Sequence, residues 1–262
     1  MAICGCSPDQ YSVEREYWKI KKQSESILRN PAATPPNELE RAVTQLQSFA
    51  QKNSKNVLAV DAEFAVARLY AVKDEFEKAR KQLKGLMAKY NKSDVISSEA
   101  LFLIGNTYQI QGKWESALQE YKKIIADYPL TTRGLETPIY IAQYYKVKFQ
   151  PDKMVEALGE AIGHYRALAE KYPGSPLAFK AYTMISSCYS ATKDWENTVS
   201  ALNIITEQFK GKVSLEAVFL DMIAIYKKEL KDNAKAQETL DRLIKEYPNS
   251  KFISSAKALL KK

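Results

Sequence analysis

Few side chains in this sequence have the type and spacing that catalysis requires. The 262 residues include a single histidine, His164, so a His-based catalytic triad would have at most one member. The carboxylate pairs Glu156/Glu160 and Asp74/Glu77 lie at helical spacing beside lysines, which is typical of a solvated helix face. Gly-rich phosphate loops, Cys-x-x-Cys, HExxH and calcium-loop motifs are absent from the sequence. We therefore expect a protein that is not an enzyme and that uses no cofactor.

Three cysteines are the other reactive side chains. Cys188 falls on one helical face with Ala181 and Ile185, which predicts a buried thiol that packs as a small apolar group. Cys4 and Cys6 would supply half of a metal site, but only Cys188 and the single histidine remain as further soft ligands. No metal site is expected.

Composition favours a folded helical protein. Hydrophobic residues make up 45% and charged residues 27%, as in globular proteins, while glycine is scarce and helix-forming residues dominate. No stretch approaches the ~20 consecutive apolar residues of a membrane-spanning helix. The net charge of +8 is spread along the chain without a basic tail, so neither nucleic acid nor a small-molecule substrate is an expected partner.

An internal repeat organises most of the chain. In five places a small residue stands 11 positions before an aromatic residue, and this register recurs every 37 or 38 residues with one interval of 44. The pairs are Ala79/Tyr90, Ala117/Tyr128, Ala161/Tyr172, Thr198/Phe209 and Ala236/Tyr247. Small residues let two helices approach closely, and the proline that follows three of the aromatics ends a helix. The pattern predicts antiparallel helix pairs that stack on their neighbours.

Residues 97–129 show this repeat most clearly. The signature positions are Leu103, Gly105, Tyr108, Trp114, Ala117, Tyr121, Ile124 and Pro129. At these positions the sequence resembles the tetratricopeptide repeat (TPR) family, and the resemblance extends over residues 57–262. It implies an all-α, right-handed α-solenoid of antiparallel helix pairs, in which the first helix of each pair lines a concave groove that binds protein or peptide segments.

The domain organisation follows from this register. We expect an N-terminal tether at 1–10, a divergent helix pair with a Pro-rich loop at 11–56, about five TPRs at 57–249 and a capping helix at 250–262. The insertion KFQPDKMVEALGEA, at 148–161, predicts a long linker in the third repeat.

The junctions between repeats carry a second resemblance. Tyr-Pro-x-Ser motifs suit capping of the next helix by Ser175 or Ser250, and Pro176 suits a first helical turn. Together with an Ala-rich following helix and the long third repeat, these junctions resemble bacterial periplasmic TPR proteins. That class includes BamD-like lipoproteins of outer-membrane β-barrel assembly and the Tol-Pal-associated protein.

The N-terminus resembles a lipoprotein processing site. Ile3-Cys4-Gly5-Cys6 fits the bacterial lipobox, which implies a lipid on Cys6 and a periplasmic protein anchored to the outer membrane. Five residues precede Cys6, fewer than a secretory signal needs, so either an upstream segment completes the signal or the match is accidental.

Exposed groove positions are carried over from the resemblance. They are Phe64, Arg68, Phe102, Asn106, Gln109, Gln143, Lys146, Lys180 and Lys227. The same register places Asp61, Glu99 and Glu136 on this surface. The resemblance implies a scaffold in outer-membrane protein assembly; the alternatives are a Tol-Pal or cell-envelope maintenance adaptor and a cytoplasmic peptide-binding scaffold.

Overall fold

The computed structural model describes residues 10–261, and these form an all-α fold. Thirteen α-helices and one 3-10 turn at Pro31–Ala33 account for the regular structure, and this part of the chain contains no strand. The helices are α1 (Gln10–Arg29), α2 (Pro36–Lys52), α3 (Val57–Val72), α4 (Phe76–Lys89), α5 (Asp94–Ile110), α6 (Trp114–Asp127), α7 (Thr132–Val147), α8 (Pro151–Lys171), α9 (Pro176–Ala191), α10 (Trp195–Gln208), α11 (Glu216–Lys228), α12 (Asn233–Glu246) and α13 (Phe252–Lys261). The prediction of TPR-like helix pairs is confirmed.

The helices group into two compact units that divide between Thr137 and Pro138, inside α7. In unit 1, which ends at Thr137, α1 packs against α2 and α3, and α3 to α6 pack in succession. In unit 2, which begins at Pro138, α8 to α12 pack in succession and α13 covers α11 and α12. The sequence did not indicate this division within the repeat array.

The turn inside each of five helix pairs has one backbone form. A residue with φ between 55° and 72° occupies each turn: Asp74, Gly112, Phe149, Lys193 and Lys231. The backbone N–H of the next residue donates to a tyrosine carbonyl of the preceding helix in every case, at 2.8–3.0 Å. The accepting residues are Tyr70, Tyr108, Tyr145, Tyr189 and Tyr226. Because this bond satisfies a helix-terminal carbonyl, four turns tolerate a non-glycine residue in the left-handed region.

The predicted long linker in the third repeat is wrong. The turn between α7 and α8 is as short as the others, and the extra residues lengthen α8, which has 21 residues compared with 14 in each of α4, α6, α10 and α12. Pro151 occupies the first turn of α8 and Asp152 lies beside it, where both favour helix initiation. Ala157 and Leu158 are buried, so packing stabilises the added length.

The capping prediction is confirmed at the junctions between pairs. Ser175 Oγ accepts a hydrogen bond from Ala178 N at 3.1 Å, and Pro176 begins α9. Ser250 Oγ accepts from Phe252 N at 3.2 Å. Each bond satisfies one of the donors that a helix N-terminus leaves unpaired.

Cys188 lies in the core of unit 2, as the sequence predicted. Its side chain is 1% exposed, and burial raises the pKa of the thiol to about 11. Because only the thiolate is a good nucleophile, we expect iodoacetamide at neutral pH to label Cys188 only through transient opening of the fold, far more slowly than an unfolded cysteine.

The labelling rate would be measured in a chain with Cys4→Ser and Cys6→Ser, so that one thiol remains. A matched control moves this thiol by one residue, with Ser187→Cys and Cys188→Ser, because Ser187 is exposed. Equal rates for the two chains would contradict the buried placement.

Candidate functional site

Unit 1 contains an open cleft of about 760 Å3 along α3, α5 and the first turn of α7. These are the first helices of three consecutive pairs. We call this feature the α3–α5–α7 cleft; its lining residues are Val57, Leu58, Val60, Asp61, Phe64, Arg68, Ser93, Val95, Ile96, Ser98, Glu99, Thr131, Thr132, Arg133 and Glu136. The surface on which the resemblance placed a binding groove is therefore concave in unit 1.

Charges of both signs alternate along this cleft. Asp61, Glu99 and Glu136 lie at one register on the first helices of three consecutive pairs, as the sequence predicted, and two arginines lie between them. Arg68 Nη2 lies 3.6 Å from Glu99 Oε1, and Arg133 Nη1 lies 3.7 Å from Glu136 Oε2. The cleft thus offers donors and acceptors without a dominant sign of charge.

Glu99 and Arg133 form a two-point ion pair in the cleft. Arg133 Nε donates to Glu99 Oε2 at 2.6 Å and Nη2 donates to Oε1 at 3.2 Å, a two-point contact that fixes both side chains. The Arg133 guanidinium also lies 3.9 Å from the centre of the Phe102 ring. Glu99 links α3 to α7 because it also approaches Arg68.

Helix α1 supports the end of the cleft at Asp61. Tyr17 Oη donates to Asp61 Oδ2 at 2.9 Å, and Lys21 Nζ lies 3.4 Å from the same oxygen. Burial, together with the neighbouring Asp61 carboxylate, raises the pKa of the Tyr17 phenol far above its usual value. Tyr17 therefore remains a protonated donor, and Asp61 is held in place with half of its side chain exposed.

Apolar side chains complete the binding surface. Val57 is 77% exposed and Val95 is 69% exposed, and both line the cleft. A second, mostly apolar pocket of about 230 Å3 lies between α3 and α5, where Leu103 and Ile110 form part of its wall. Arg68 lines both features, so the pocket adjoins the cleft.

The predicted groove residues of unit 1 have different surroundings. Phe64 and Arg68 line the cleft, and Asn106 lines the adjoining pocket. The expectation that Phe64 and Phe102 are exposed is wrong, because they are 6% and 7% exposed. Phe102 packs beneath Arg133 and against the Tyr121 ring, whereas Phe64, although buried, forms part of the cleft wall.

The side-chain amides of Asn106 and Gln109, two predicted groove residues, contact Tyr121 within their own helix pair. Tyr121 Oη donates to Asn106 Oδ1 at 2.7 Å, and Gln109 Oε1 lies 3.2 Å from the same hydroxyl. Their carbonyl oxygens therefore orient the buried tyrosine, which the sequence pattern did not indicate.

The other predicted groove residues belong to unit 2. Gln143, Lys146 and Lys180 are exposed there, and their role in binding stays a prediction. Lys227 Nζ donates to Asn233 Oδ1 at 3.0 Å and to the Leu260 carbonyl at 3.3 Å. Lys227 therefore helps to hold α13, a contact that its position on a first helix did not suggest.

Arg133, Val57 and Val95 were not anticipated as site residues. Arg133 occupies the repeat position at which the two preceding repeats have Leu58 and Ile96, so the register indicated an apolar side chain there. The available signal was the spacing between Arg133 and Glu136, which places opposite charges on one helix face.

Nothing in residues 10–261 indicates a metal centre or a membrane span. In this part of the chain no three His, Cys, Asp or Glu side chains are grouped to hold a metal ion. None of its helices combines the length and apolarity needed to cross a bilayer. His164 is half-buried, and burial lowers its pKa. The predicted lipidation site at Cys6 lies outside the described residues.

Comparison with known proteins identifies the repeat. The tetratricopeptide repeat family model matches residues 99–131 and 218–250, which include parts of α5 and α11 and all of α6 and α12. No curated protein matches the sequence. The second matched segment contains Ile223, the only large residue among five otherwise small packing positions.

Several solved structures are similar at low identity. BtubC (bKLC) of P. vanneervenii is 18% identical, with 90% of this chain and 91% of that one covered and a TM-score of 0.42. Pseudomonas aeruginosa PilF is 14% identical, with 94% and 99% covered and a TM-score of 0.37. The yeast Sti1 TPR2AB domain, in a complex with a pHSP90 peptide, is 14% identical, with 94% and 96% covered and a TM-score of 0.36.

The class of protein follows from the matched repeats and the helix pairs around them. Two segments of the chain match the tetratricopeptide repeat, and proteins built from such repeats are typically non-enzymatic scaffolds for protein–protein interaction. The α3–α5–α7 cleft is the candidate interaction surface in unit 1.

Proposed function

We propose that this chain is a lipid-anchored outer-membrane scaffold that acts in outer-membrane protein assembly, in the manner of BamD, and holds an extended segment of a partner protein in the α3–α5–α7 cleft. The observation that carries this proposal is the cleft itself, in which the first helices of three consecutive pairs present fixed charges beside exposed valines.

The chemistry of the cleft suits an extended peptide. Arg133 and Glu99 fix each other, so their remaining hydrogen-bonding capacity is presented without further ordering of the side chains. The three carboxylates recur once per helix pair. An extended partner peptide that runs along the cleft would therefore meet one carboxylate at each helix pair. Val57, Val95 and the adjoining pocket provide apolar area for anchoring side chains.

The location rests on the N-terminal sequence. Cys6 ends a lipobox-like pattern four residues before α1 begins at Gln10. A lipid on Cys6 would hold unit 1 at the inner face of the outer membrane, where unfolded barrel proteins arrive from the periplasm. Mass spectrometry of the N-terminal peptide, from protein expressed with its full upstream reading frame, tests this: a diacyl or triacyl group on Cys6 is expected.

The cleft is tested by site-specific photo-cross-linking in the native host. A photoreactive residue at Val95 should cross-link to a component of the outer-membrane barrel assembly machinery or to an unfolded barrel protein. The same residue at Lys84, exposed on α4 and outside the cleft, is the matched control. Arg133→Glu should abolish the cross-link, because it removes the contact to Glu99 and reverses a charge in the cleft.

Other outcomes would favour one of the alternative functions or contradict a role for the cleft. Cross-links from Val95 to peptidoglycan synthesis enzymes would favour the cell-envelope maintenance adaptor. An unmodified N-terminus in the soluble fraction would leave the cytoplasmic peptide-binding scaffold. Equal cross-linking from Val95 and Lys84 would contradict a role for the cleft.

A further inference from the structure

The outer face of α1 carries exposed aromatic and basic side chains. Its stripe consists of Tyr11, Arg15, Trp18, Lys19, Lys22, Ser26 and Arg29, all of them exposed. Tyr11 is 71% and Trp18 60% exposed, although both are large aromatics. The opposite face of α1, with Val13 and Tyr17, is buried against α2 and α3. We call this set of exposed residues the α1 stripe.

Cationic side chains outnumber acidic ones on this face of α1. The α1 stripe contains four cationic side chains, and none of the four forms an ion pair within residues 10–261. Two half-buried carboxylates border the stripe: Glu14 lines the same surface depression as Tyr11 and Trp18, and Glu25 lies seven residues after Trp18. Glu16 pairs with Lys52 at 3.3 Å, and Glu14 accepts a hydrogen bond from Gln10 Nε2 at 2.7 Å. Four cations beside two half-buried carboxylates leave the outer face of α1 with a net positive charge.

The two aromatics lie seven residues apart, two helical turns along the same line. A tryptophan at such a site exposes apolar area to water, whereas at a membrane interface its ring lies among the head groups. Lys21 Nζ lies 5.1 Å from the Trp18 ring centre, which places a fifth cation beside the aromatic. Exposed Trp and Tyr among Lys and Arg are typical of helices that lie on lipid surfaces.

We propose that the α1 stripe binds the surface of an anionic phospholipid membrane, with α1 parallel to the plane of the head groups. From Tyr11 to Arg29 the stripe is ~27 Å long, so its four cations contact several head groups at once. Since only two aromatics enter the interface, electrostatic attraction supplies most of the binding, and binding is therefore reversible and weakened by salt.

This inference is independent of a lipid on Cys6, although the two would act together. Three residues separate Cys6 from Gln10, so an acylated Cys6 would hold the start of α1 within ~14 Å of the bilayer. The two or three acyl chains expected on Cys6 would already anchor the chain stably, so the basic surface beside them would orient unit 1 rather than hold it on the membrane. The orientation of unit 1 on the membrane would then be set by α1.

The test uses the full chain with Cys4→Ser and Cys6→Ser, which cannot be acylated. Binding to vesicles of phosphatidylcholine with phosphatidylglycerol, and to vesicles of phosphatidylcholine alone, is measured by co-sedimentation at low and at physiological salt. We expect binding to the anionic vesicles only, with a blue shift of tryptophan emission that is lost in Trp18→Phe.

Matched charge reversals separate the α1 stripe from the net charge of the chain. Lys19→Glu with Lys22→Glu should lower the partition coefficient at least ~25-fold, because each lysine near an anionic surface contributes roughly fivefold. Lys81→Glu with Lys84→Glu has the same spacing and the same change in charge, on exposed positions of α4, and should bind nearly as the parent chain does. Far-UV circular dichroism and thermal unfolding would verify that both variants fold.

Three results would overturn the proposal. The first is no binding to anionic vesicles at low salt, and the second is an equal loss of binding in the two charge-reversed variants. The third is binding of a single-stranded oligonucleotide through Trp18 in a chain that does not bind vesicles, which would assign the α1 stripe to nucleic acid. None of these results depends on acylation of Cys6 or on a partner in the cleft.

Discussion

Replacing Arg80 with alanine should lower the free energy of unfolding of unit 1 by about 3 kcal/mol, the largest effect that we expect from one side chain. Arg80 is charged yet only 2% exposed. Its Nη1 donates to Thr107 Oγ1 and to Gln111 Oε1, each at 2.9 Å, and its guanidinium lies 4.3 Å from the centre of the Tyr108 ring. Alanine would leave a void between α4 and α5 and two polar groups without their donor.

Urea denaturation followed by far-UV circular dichroism would measure this loss. Glu77→Ala is the matched control, because Glu77 pairs with Arg80 but its side chain is 88% exposed. The pair lowers the pKa of Glu77, so its stabilisation is present above the pKa of an unfolded carboxyl group and is lost as the pH falls through the folded value. Solvent screens so exposed a partner, and little change in stability is expected.

The contrast between these variants separates packing from charge. If Arg80→Ala and Glu77→Ala destabilise unit 1 equally, the salt bridge rather than the buried guanidinium is the source of the stability. Arg80→Lys should resemble alanine more than arginine, because an ammonium group lacks the planar guanidinium that packs on the Tyr108 ring while Nη1 donates to Thr107 and Gln111.

Arg80 also illustrates a limit of sequence analysis. On α4 it follows Ala79, whose packing role the register predicted, and a charged residue at its position indicates a solvated surface. Its burial depends on Tyr108, Thr107 and Gln111, which lie 27 to 31 residues away on the next helix pair. The periodicity of one helix therefore does not predict the burial of Arg80, because the hydrogen-bond acceptors belong to the neighbouring helix pair.

In the α3–α5–α7 cleft, too, some features follow from the repeat register and others depend on contacts between helix pairs. Asp61, Glu99 and Glu136 could be placed on the concave face because each repeats the register of the one before. The burial of Phe102 could not be predicted, because it depends on the Arg133 guanidinium above the ring. Repeat spacing therefore identifies which face of a helix turns inward, whereas the contacts between pairs determine which side chains on that face remain exposed.

The position of the extra residues in the third repeat had to be seen in the structure. The interval of 44 residues indicated an insertion but not its conformation. A loop and a longer helix have the same length in sequence, and Pro151 is compatible with either. The buried contacts of Ala157 and Leu158 favour the helix, and these depend on neighbours within unit 2.

Replacing Gly105 with alanine should destabilise unit 1 by about 2 kcal/mol, although alanine is the better helix former by ~1 kcal/mol. A Cβ atom at Gly105 would overlap Tyr121 Cε1 and lie 2.9 Å from Cδ1 and Cζ. The ring cannot move aside at low cost, because Tyr121 is fully buried, its centre lies 5.5 Å from that of Phe102 and 6.0 Å from that of Trp114, and its hydroxyl is bonded to Asn106.

Gly85→Ala is the matched control for this prediction, and it should have the opposite sign. Gly85 lies inside α4, is exposed, and has nothing within 4 Å of the position of an added Cβ. Alanine there should stabilise unit 1 by up to ~1 kcal/mol through helix propensity alone. Urea midpoints of the two variants would be compared with that of the parent chain. Stabilisation by both substitutions would show that α5 and α6 are not in the close contact that Gly105 permits, and that the small residues of the repeat register serve a purpose other than helix approach.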